Sequence, residues 1–466
     1  MNKTFSHADH YIAKLKNIEL QIIQNQLREA TNQLNLLASS ESHDPRLFLL
    51  GAMLAKAAGN PEGVIQAARK AHQLAPQWPV ATVHLAGVLA DREEVDEAMA
   101  AAERAVQLTA VHATSPGDAI ELLTKAASIA QRFGHHIKAL AWLRLGEQIN
   151  PEDVNTRQQI GRSLVYSGDP ESAIAIFDRL LEQMPGTPSF LGDRLRACLA
   201  ARQNGQAVVD AESLLAIESS SEVYRFYLDI AHGITPKTQP ASLIAGLVDG
   251  VADQYEHERE SNQGRELPSE VARMIYQWHP DTKGDILDLG CGAGELGACL
   301  GVTQGALVGV DLSNEKVRQA SERRVYDRIH QVNLLDALQR TPDCLYHVIT
   351  ALDVLDYVGD LETVIPDSYR ILVPGGRFVF SFVATDASEE ADYALSRSYR
   401  YKYRQGYVQR LLDVAGFEEF AIDDRKWRPQ AGQPTKGFLV TARKGLSLAE
   451  KTVQQSPKNA MPPDSR

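Results

Sequence analysis

The sequence predicts two kinds of structure in one chain: an all-α solenoid of helical hairpins, then an α/β domain on a mostly parallel sheet. Three observations predict it. Small residues, Gly and Pro recur every 34 residues through the first half. Two prolines and a polar run break that pattern at 233–243. From Asp285 onward, short β-branched runs alternate with helical stretches. A chain of 466 residues is also too long for one ordinary core.

Beginning at the N-terminus, residues 11–38 place apolar side chains at helical spacing and read as a leading helix or cap within 1–44. The repeats follow over 45–232. "SGDPESAIAIFDRLLEQMP" (167–185) aligns without a gap on "FGHHIKALAWLRLGEQINP" (133–151), 34 residues earlier. Gly168 lies over Gly134, Ala173 over Ala139, Phe177 over Leu143 and Pro185 over Pro151. Pro76 and Ala110 mark another copy, residues 45–76 a further one with Gly59 at its turn, and a weaker one with a displaced Gly205 follows Pro185. Small residues let two helices approach, Gly frees the turn and Pro ends the second helix. A stacked-helix array presents a concave surface, suited to docking a peptide or protein partner or to self-association and support.

Residues 233–283 read as linker and lid helices, 284–446 as the α/β domain, and 447–466 as a disordered tail without periodicity. Within the domain, "DILDLG", "ALVGVD", "RIHQVN", "YHVITALD" and "GRFVFSFV" read as strands. "GELGACLG", "NEKVRQASERR" and "ETVIPDSYRIL" between them read as helices.

Bulk composition narrows the function. Lys and Arg total 48 against 60 Asp and Glu, a net charge of -12, which argues against a broad nucleic-acid surface. The four cysteines are scattered, with no CxxC and no metal-spaced His/Cys cluster, so no metal is expected and a reducing cytoplasm is the expected location. No signal peptide and no membrane span are expected.

"DILDLGCGAG" (285–294) is the motif with chemistry. Gly290, Gly292 and Gly294 alternate, one spacing short of the dinucleotide pattern G-x-G-x-x-G, and Glu295 opens the next helix. A carboxylate there, or at Asp288, would repel a pyrophosphate but suits a cationic amino group. Cys291 between two glycines reads as a small packing residue beneath the loop rather than a nucleophile.

D-x-G-x-G-x-G at 288–294 resembles the first motif of class I S-adenosylmethionine-dependent methyltransferases. The resemblance implies a Rossmann-like domain with a seven-stranded, mostly parallel sheet, and S-adenosylmethionine as cofactor. It implies that Gly290, Gly292 and Gly294 face the cofactor, with Asp288 near its amino-acid part. Asp311 and Leu312, at the end of "ALVGVD", fall where the family binds the ribose hydroxyls. Asn333-Leu334 fall where it contacts adenine, and Ala351 and Asp353 beside the reacting methyl. From the residues alone, Asp311 also suits a helix cap, Asn333 a local turn and Asp353 a helix start.

The combination is further similar to predicted bacterial tetratricopeptide-containing methyltransferases. "GLVDGVADQYEHE" (246–258) matches a family segment, with Val248-Asp249, Ala252 and Tyr255-Glu256 in the key places and one aromatic missing. "RYKY" at 400–403 carries Tyr403 where the family has His. No catalytic base is assigned by the motif; Asp353, Tyr401 and Tyr403 are the candidates, Tyr255, His257, Tyr401, Tyr403 and Tyr407 are candidate lid or acceptor-side residues, and each of these last five also reads as a packing or surface residue. "RSYRYKYRQGY" (397–407) reads as a solvated helix start or a grip for an anion. After the fourth strand the chain reads Asp353-Val354-Leu355-Asp356 rather than N/D-P-P-aromatic, which disfavours transfer to base amines or a glutamine amide. The expected function is methyl transfer to a small-molecule or protein acceptor. The alternative is a repeat scaffold whose methyltransferase domain is inert or senses cofactor.

Overall fold

The computed structural model describes residues 7–41, 43–92, 94–249, 266–385, 391–396, 399–430 and 433–446. Packing divides the chain into two compact units, Met1–Gln206 and Ala207–Arg466.

The first unit is helical. Its helices are α1 (His7–Ile23), α2 (Leu27–Ser40), α3 (Pro45–Ala57), α4 (Pro61–Leu74), α5 (Pro79–Asp91) and α6 (Val95–His112). They continue as α7 (Pro116–Arg132), α8 (His136–Ile149), α9 (Val154–Ser167), α10 (Pro170–Gln183) and α11 (Pro188–Ala200), with α12 (Asn204–Ile217) crossing the division. The stretch 11–38 is two helices rather than one, because Asn25 takes a left-handed φ of 60° and turns the chain.

Helix starts keep the 34-residue spacing at Pro45 and Pro79, Val154 and Pro188, and His136, Pro170 and Asn204. The 18-residue α6 interrupts it and delays α7. Local chemistry explains the hairpin of α9 and α10. Gly168 ends α9 at φ 92°, Asp169 accepts the Ser172 amide at 3.2 Å, and Pro170 opens α10 where no amide proton is needed. Ala68, Ala71, Ala98, Ala102, Ala139 and Ala173 are buried where helices meet. At Gly161 the approach is closest: an added Cβ would lie 2.5 Å from the Phe177 ring.

The second unit opens with α13 (Glu222–Ala231), α14 (Ala241–Asp249) and α15 (Glu266–Trp278). The α/β part then runs β1 (Ile286–Leu289), α16 (Glu295–Leu300), β2 (Leu307–Asp311), α17 (Asn314–Arg323), β3 (Arg328–Gln331), α18 (Leu334–Arg340) and β4 (Tyr346–Ala351). After it come α19 (Val364–Ile371), β5 (Leu372–Val383), β6 (Tyr393–Leu395), β7 (Tyr401–Tyr403), α20 (Gln405–Ala415), β8 (Phe417–Gln430) and β9 (Gln433–Lys444). Among the described residues one sheet has the order β3-β2-β1-β4-β5-β9-β8. β3, β2, β1, β4 and β5 pair in parallel, and β9 runs antiparallel to both β5 and β8. Each of the five expected strands is present. The continuous apolar runs of β1, β2 and β4 reflect burial on both sheet faces, with Leu287 and Leu289 in one core and Ile286 and Leu307 in the other, whereas the edge strand β3 is polar and largely exposed.

The region 397–407 departs from its reading as a solvated helix start. β7 occupies Tyr401–Tyr403, pairs with β6 as an antiparallel hairpin, and the helix begins only at Gln405. Alternation explains the strand: Tyr401 and Tyr403 are both fully buried, while Lys402 between them is not.

Candidate functional site

Strand order reverses at β1, whose neighbours β2 and β4 lead away in opposite directions. The crevice at the carboxyl ends of such strands is where this architecture binds ligands. Gly290, Gly292 and Gly294 sit there, immediately after β1, with φ of 68°, 55° and 89°. All three are left-handed, which explains the residue type. At Gly290 space is limiting as well, since a Cβ would lie 2.4 Å from a methyl of Val354. The Cys291 amide still bonds the Val310 carbonyl at 3.0 Å, and the Gly294 amide closes a turn onto the Cys291 carbonyl at 2.9 Å.

Asp311 ends β2 and locks this loop. One carboxylate oxygen accepts the Gly292 amide at 2.9 Å and the other accepts the Ser313 amide at 2.9 Å. Ser313 in turn caps α17 through the Lys316 amide at 3.1 Å. The cap of α17 is thus Ser313, and Asp311 bridges the glycine loop to that cap. An ionised carboxylate has about four acceptor sites, so these two bonds are compatible with accepting hydroxyls from a bound ribose. Leu312 beside it is half-buried.

Asp288 is only 3% exposed and accepts hydrogen bonds from the Tyr326 hydroxyl and the Thr350 hydroxyl, each at 2.7 Å. Burial pushes its carboxyl up to about 6, against the lowering effect of those two donors. Sequence reasoning singled out neither Tyr326 nor Thr350. Tyr326 also packs against Gly294 and Gly297, so one side chain supports both the carboxylate and the helix start. Cys291 is buried beneath the loop, and burial raises its thiol far above the usual range. That is the opposite of an activated thiolate.

Asn333 takes the N-cap of α18, its side chain accepting the Leu335 amide at 2.9 Å, and Leu334 is buried behind it. Ala351, at the end of β4, is fully buried. Asp353 holds a left-handed φ of 55°, uncommon for a residue with a side chain, and its amide donates to the Ser381 hydroxyl at 2.8 Å. The neighbouring Val354 covers Gly290, so the exit of β4 lies on the glycine loop.

Tyr401 and Tyr403 have a different role from that of exposed catalysts. Both are fully buried, and burial raises both phenols well above their ordinary value. Tyr401 donates to the Pro236 carbonyl at 2.8 Å, and the Tyr403 hydroxyl meets the Leu355 and Val358 carbonyls. Tyr407 bonds Asp360 at 3.1 Å. Tyr255 and His257 lie outside the described residues. The anion grip is also spoken for in part: Arg400 pairs with Asp356 at 2.8 Å and stacks on the Tyr357 ring.

The partner of Tyr401 identifies a feature the sequence concealed. The proline-rich stretch read as a linker is strapped onto the domain. The Lys237 carbonyl accepts the Asp360 amide at 2.8 Å, Thr238 bridges to Val358, and Gln239 donates to the Tyr357 carbonyl at 3.4 Å. Lys237 also pairs with Asp360 at 2.9 Å, and Phe226 and Tyr227 of α13 pack edge-on against Tyr399.

Residues 255–419 match a family model described as a methyltransferase domain. The chain carries a methyltransferase domain. Curated relatives agree over part of their length. The ubiquinone biosynthesis O-methyltransferase of Pseudomonas savastanoi pv. phaseolicola is 30% identical over 102 residues, 21% of this chain and 44% of its own. The 27-O-demethylrifamycin SV methyltransferase of Amycolatopsis mediterranei is 34% identical over 136 residues, 27% of this chain and 48% of its own. Phosphoethanolamine N-methyltransferase 1 of Zea mays is 28% identical over 173 residues, 36% of this chain and 32% of its own. The chain spans less than half the length of these relatives. Within the methyltransferase domain of this chain, no group of three or more His, Cys, Asp or Glu among the described residues is placed to hold a metal. No helix among the described residues is long and apolar enough to cross a membrane.

Proposed function

We propose that the chain transfers a methyl group from S-adenosylmethionine to a nucleophilic acceptor. The observation that carries this reading is the left-handed glycine loop locked by Asp311 at the strand-order reversal. The residues present fit the cofactor. The loop brings backbone to the crevice, Asp311 offers acceptors for ribose hydroxyls, and Asn333 stands at the end of β3. Asp288 supplies a carboxylate that a cationic amino group would keep ionised.

When bound, the cofactor supplies a methyl group on a sulfonium, ready for in-line displacement. The chain's own task is to hold that group, orient the acceptor and exclude water. Ser381 fixes the backbone of Asp353 at the exit of β4, which orients a carboxylate able to take a proton from an acceptor hydroxyl or amine. Isothermal titration with S-adenosylmethionine tests the reading. Absence of binding to the wild type, or undiminished binding by Asp311→Ala, overturns it.

The helical unit is proposed to dock a peptide or protein partner, supported by its regular hairpin spacing. The test is transfer of labelled methyl to cell extract by the full chain and by a chain lacking residues 1–206. That boundary retains α13 and the strap, which pack within the second unit. Labelling that is identical with and without the helices removes the docking proposal.

A further inference from the structure

Between α17 and β3, Tyr326 lays its ring where three glycines leave room. A Cβ would lie 2.6 Å from that ring at Gly297, 3.0 Å at Gly309 and 3.2 Å at Gly294. These positions belong to α16, β2 and the glycine loop, so one ring joins all three. Packing alone would be met by phenylalanine. The hydroxyl has a separate task.

That hydroxyl is directed at both ends. Gly294 at the start of α16 has no side chain to cap it, and the Gly297 amide instead donates to the Tyr326 oxygen at 3.3 Å. With its oxygen so engaged, the hydroxyl sends its single proton to Asp288 at 2.7 Å. Burial, and then the nearby Asp288 charge, push the phenol far above its ordinary range, so it stays a donor. Thr350 on β4 donates to the other Asp288 oxygen, also at 2.7 Å. Burial opposes ionisation of Asp288 most strongly, the two hydroxyls favour it, and Glu295 of α16 and Asp311 of β2 oppose it. Arg323 holds Glu295 at 3.3 Å, and the buried Cys291 thiol stays neutral. Three carboxylates thus converge around one loop, a field that suits a cationic ligand.

We propose that Tyr326 is a positioning residue of the cofactor site: its hydroxyl holds the Asp288 carboxylate for the ammonium group of S-adenosylmethionine. The proposal rests on the methyltransferase reading for the identity of that ligand. A bound ammonium favours the charged carboxylate, so binding is linked to loss of its proton. The free carboxyl titrates at about 6, and affinity therefore rises with pH up to that value and levels above it. Tyr326→Phe keeps the ring and removes one donor, so the carboxyl holds its proton to higher pH and affinity levels off later.

The test is isothermal titration of the full chain between pH 5 and 7, where an α-amino group stays cationic. The ligands are S-adenosylmethionine and 5′-methylthioadenosine, which lacks the amino-acid part. Tyr326→Phe is expected to weaken S-adenosylmethionine at least about threefold at pH 6 and less at pH 7, with methylthioadenosine within about twofold. Methylthioadenosine binding also reports that the variant is folded. In an Asp288→Asn chain, Tyr326→Phe costs no further affinity, because the hydroxyl acts through that carboxylate. Undiminished S-adenosylmethionine binding by Tyr326→Phe, or a cost that persists in Asp288→Asn, overturns the proposal. So does an equal loss of both ligands, which assigns the hydroxyl to the fold alone. A wild type that binds no S-adenosylmethionine strikes the methyltransferase reading, and the proposal with it.

Discussion

The Gly292 amide donates to the Asp311 carboxylate at 2.9 Å, joining two residues 19 positions apart and tying the loop after β1 to the tip of β2. Removing this charge-assisted bond costs about 1.5–3 kcal/mol. Asp311→Ala therefore binds S-adenosylmethionine about 10- to 100-fold more weakly by isothermal titration. Asp311→Asn, which keeps one acceptor, falls between the two.

Gly290 and Gly301 separate two causes of strain. Both have positive φ, at 68° and 61°, but only at Gly290 would a Cβ meet Val354. Gly301→Ala meets the backbone cost alone, about 1–3 kcal/mol at φ 61° and ψ −148°, a conformation nearly confined to glycine. Gly290→Ala adds a clash and is expected to cost about 2–4 kcal/mol and to abolish cofactor binding. Chemical denaturation of both variants measures the difference.

Asp288 makes stability fall with rising pH. Its carboxyl titrates at about 6 in the folded chain against an ordinary 3.8, so between these values the folded state holds a proton that the unfolded state has lost. The slope is negative in that window and flat above it, a loss of roughly 3 kcal/mol at 1.36 kcal/mol per unit. Asp288→Asn flattens this part of the stability–pH curve. An equal slope in wild type and variant between pH 4 and 6 contradicts the assignment.

Tyr401 is a clamp on the strap, through its bond to the Pro236 carbonyl. Tyr401→Phe leaves a buried carbonyl without its donor and is expected to destabilise the chain by about 1–3 kcal/mol. S-adenosylmethionine affinity stays within about twofold. A variant with unchanged melting temperature but lost methyl transfer returns Tyr401 to catalysis.

In the helical unit, Gly161→Ala places a methyl 2.5 Å from the Phe177 ring. Overpacking of this kind costs about 1–3 kcal/mol. Urea denaturation followed by far-ultraviolet circular dichroism reads it, and Phe177→Leu in the same chain is expected to recover part of the loss.

How much could be read beforehand depended on the range of the interaction. Left-handed glycines, hairpin turns and short strand runs are local, so Gly290, Gly292, Gly294, Gly168 and β1 to β5 were legible in order. The hairpin β6–β7 was not, because its alternation is only three residues long and lies in a run rich in Arg and Lys. Tyr326 and Thr350 were invisible for another reason: each is separated from Asp288 by dozens of residues, and nothing in their own neighbourhoods marks them as its donors. The strap was misleading, since prolines and polar residues describe a free linker and a docked one equally well.

The sequence by itself determined the order of elements, the glycine loop and the carboxylate at the tip of β2, because backbone conformation and hydrophobic period are properties of short segments. Only the tertiary structure decided that Asp311 holds Gly292, that Tyr401 and Tyr403 support the interior, and that residues 236–239 dock against Tyr357–Asp360. Those outcomes depend on which buried donor meets which acceptor once distant segments pack, and no local pattern encodes that pairing.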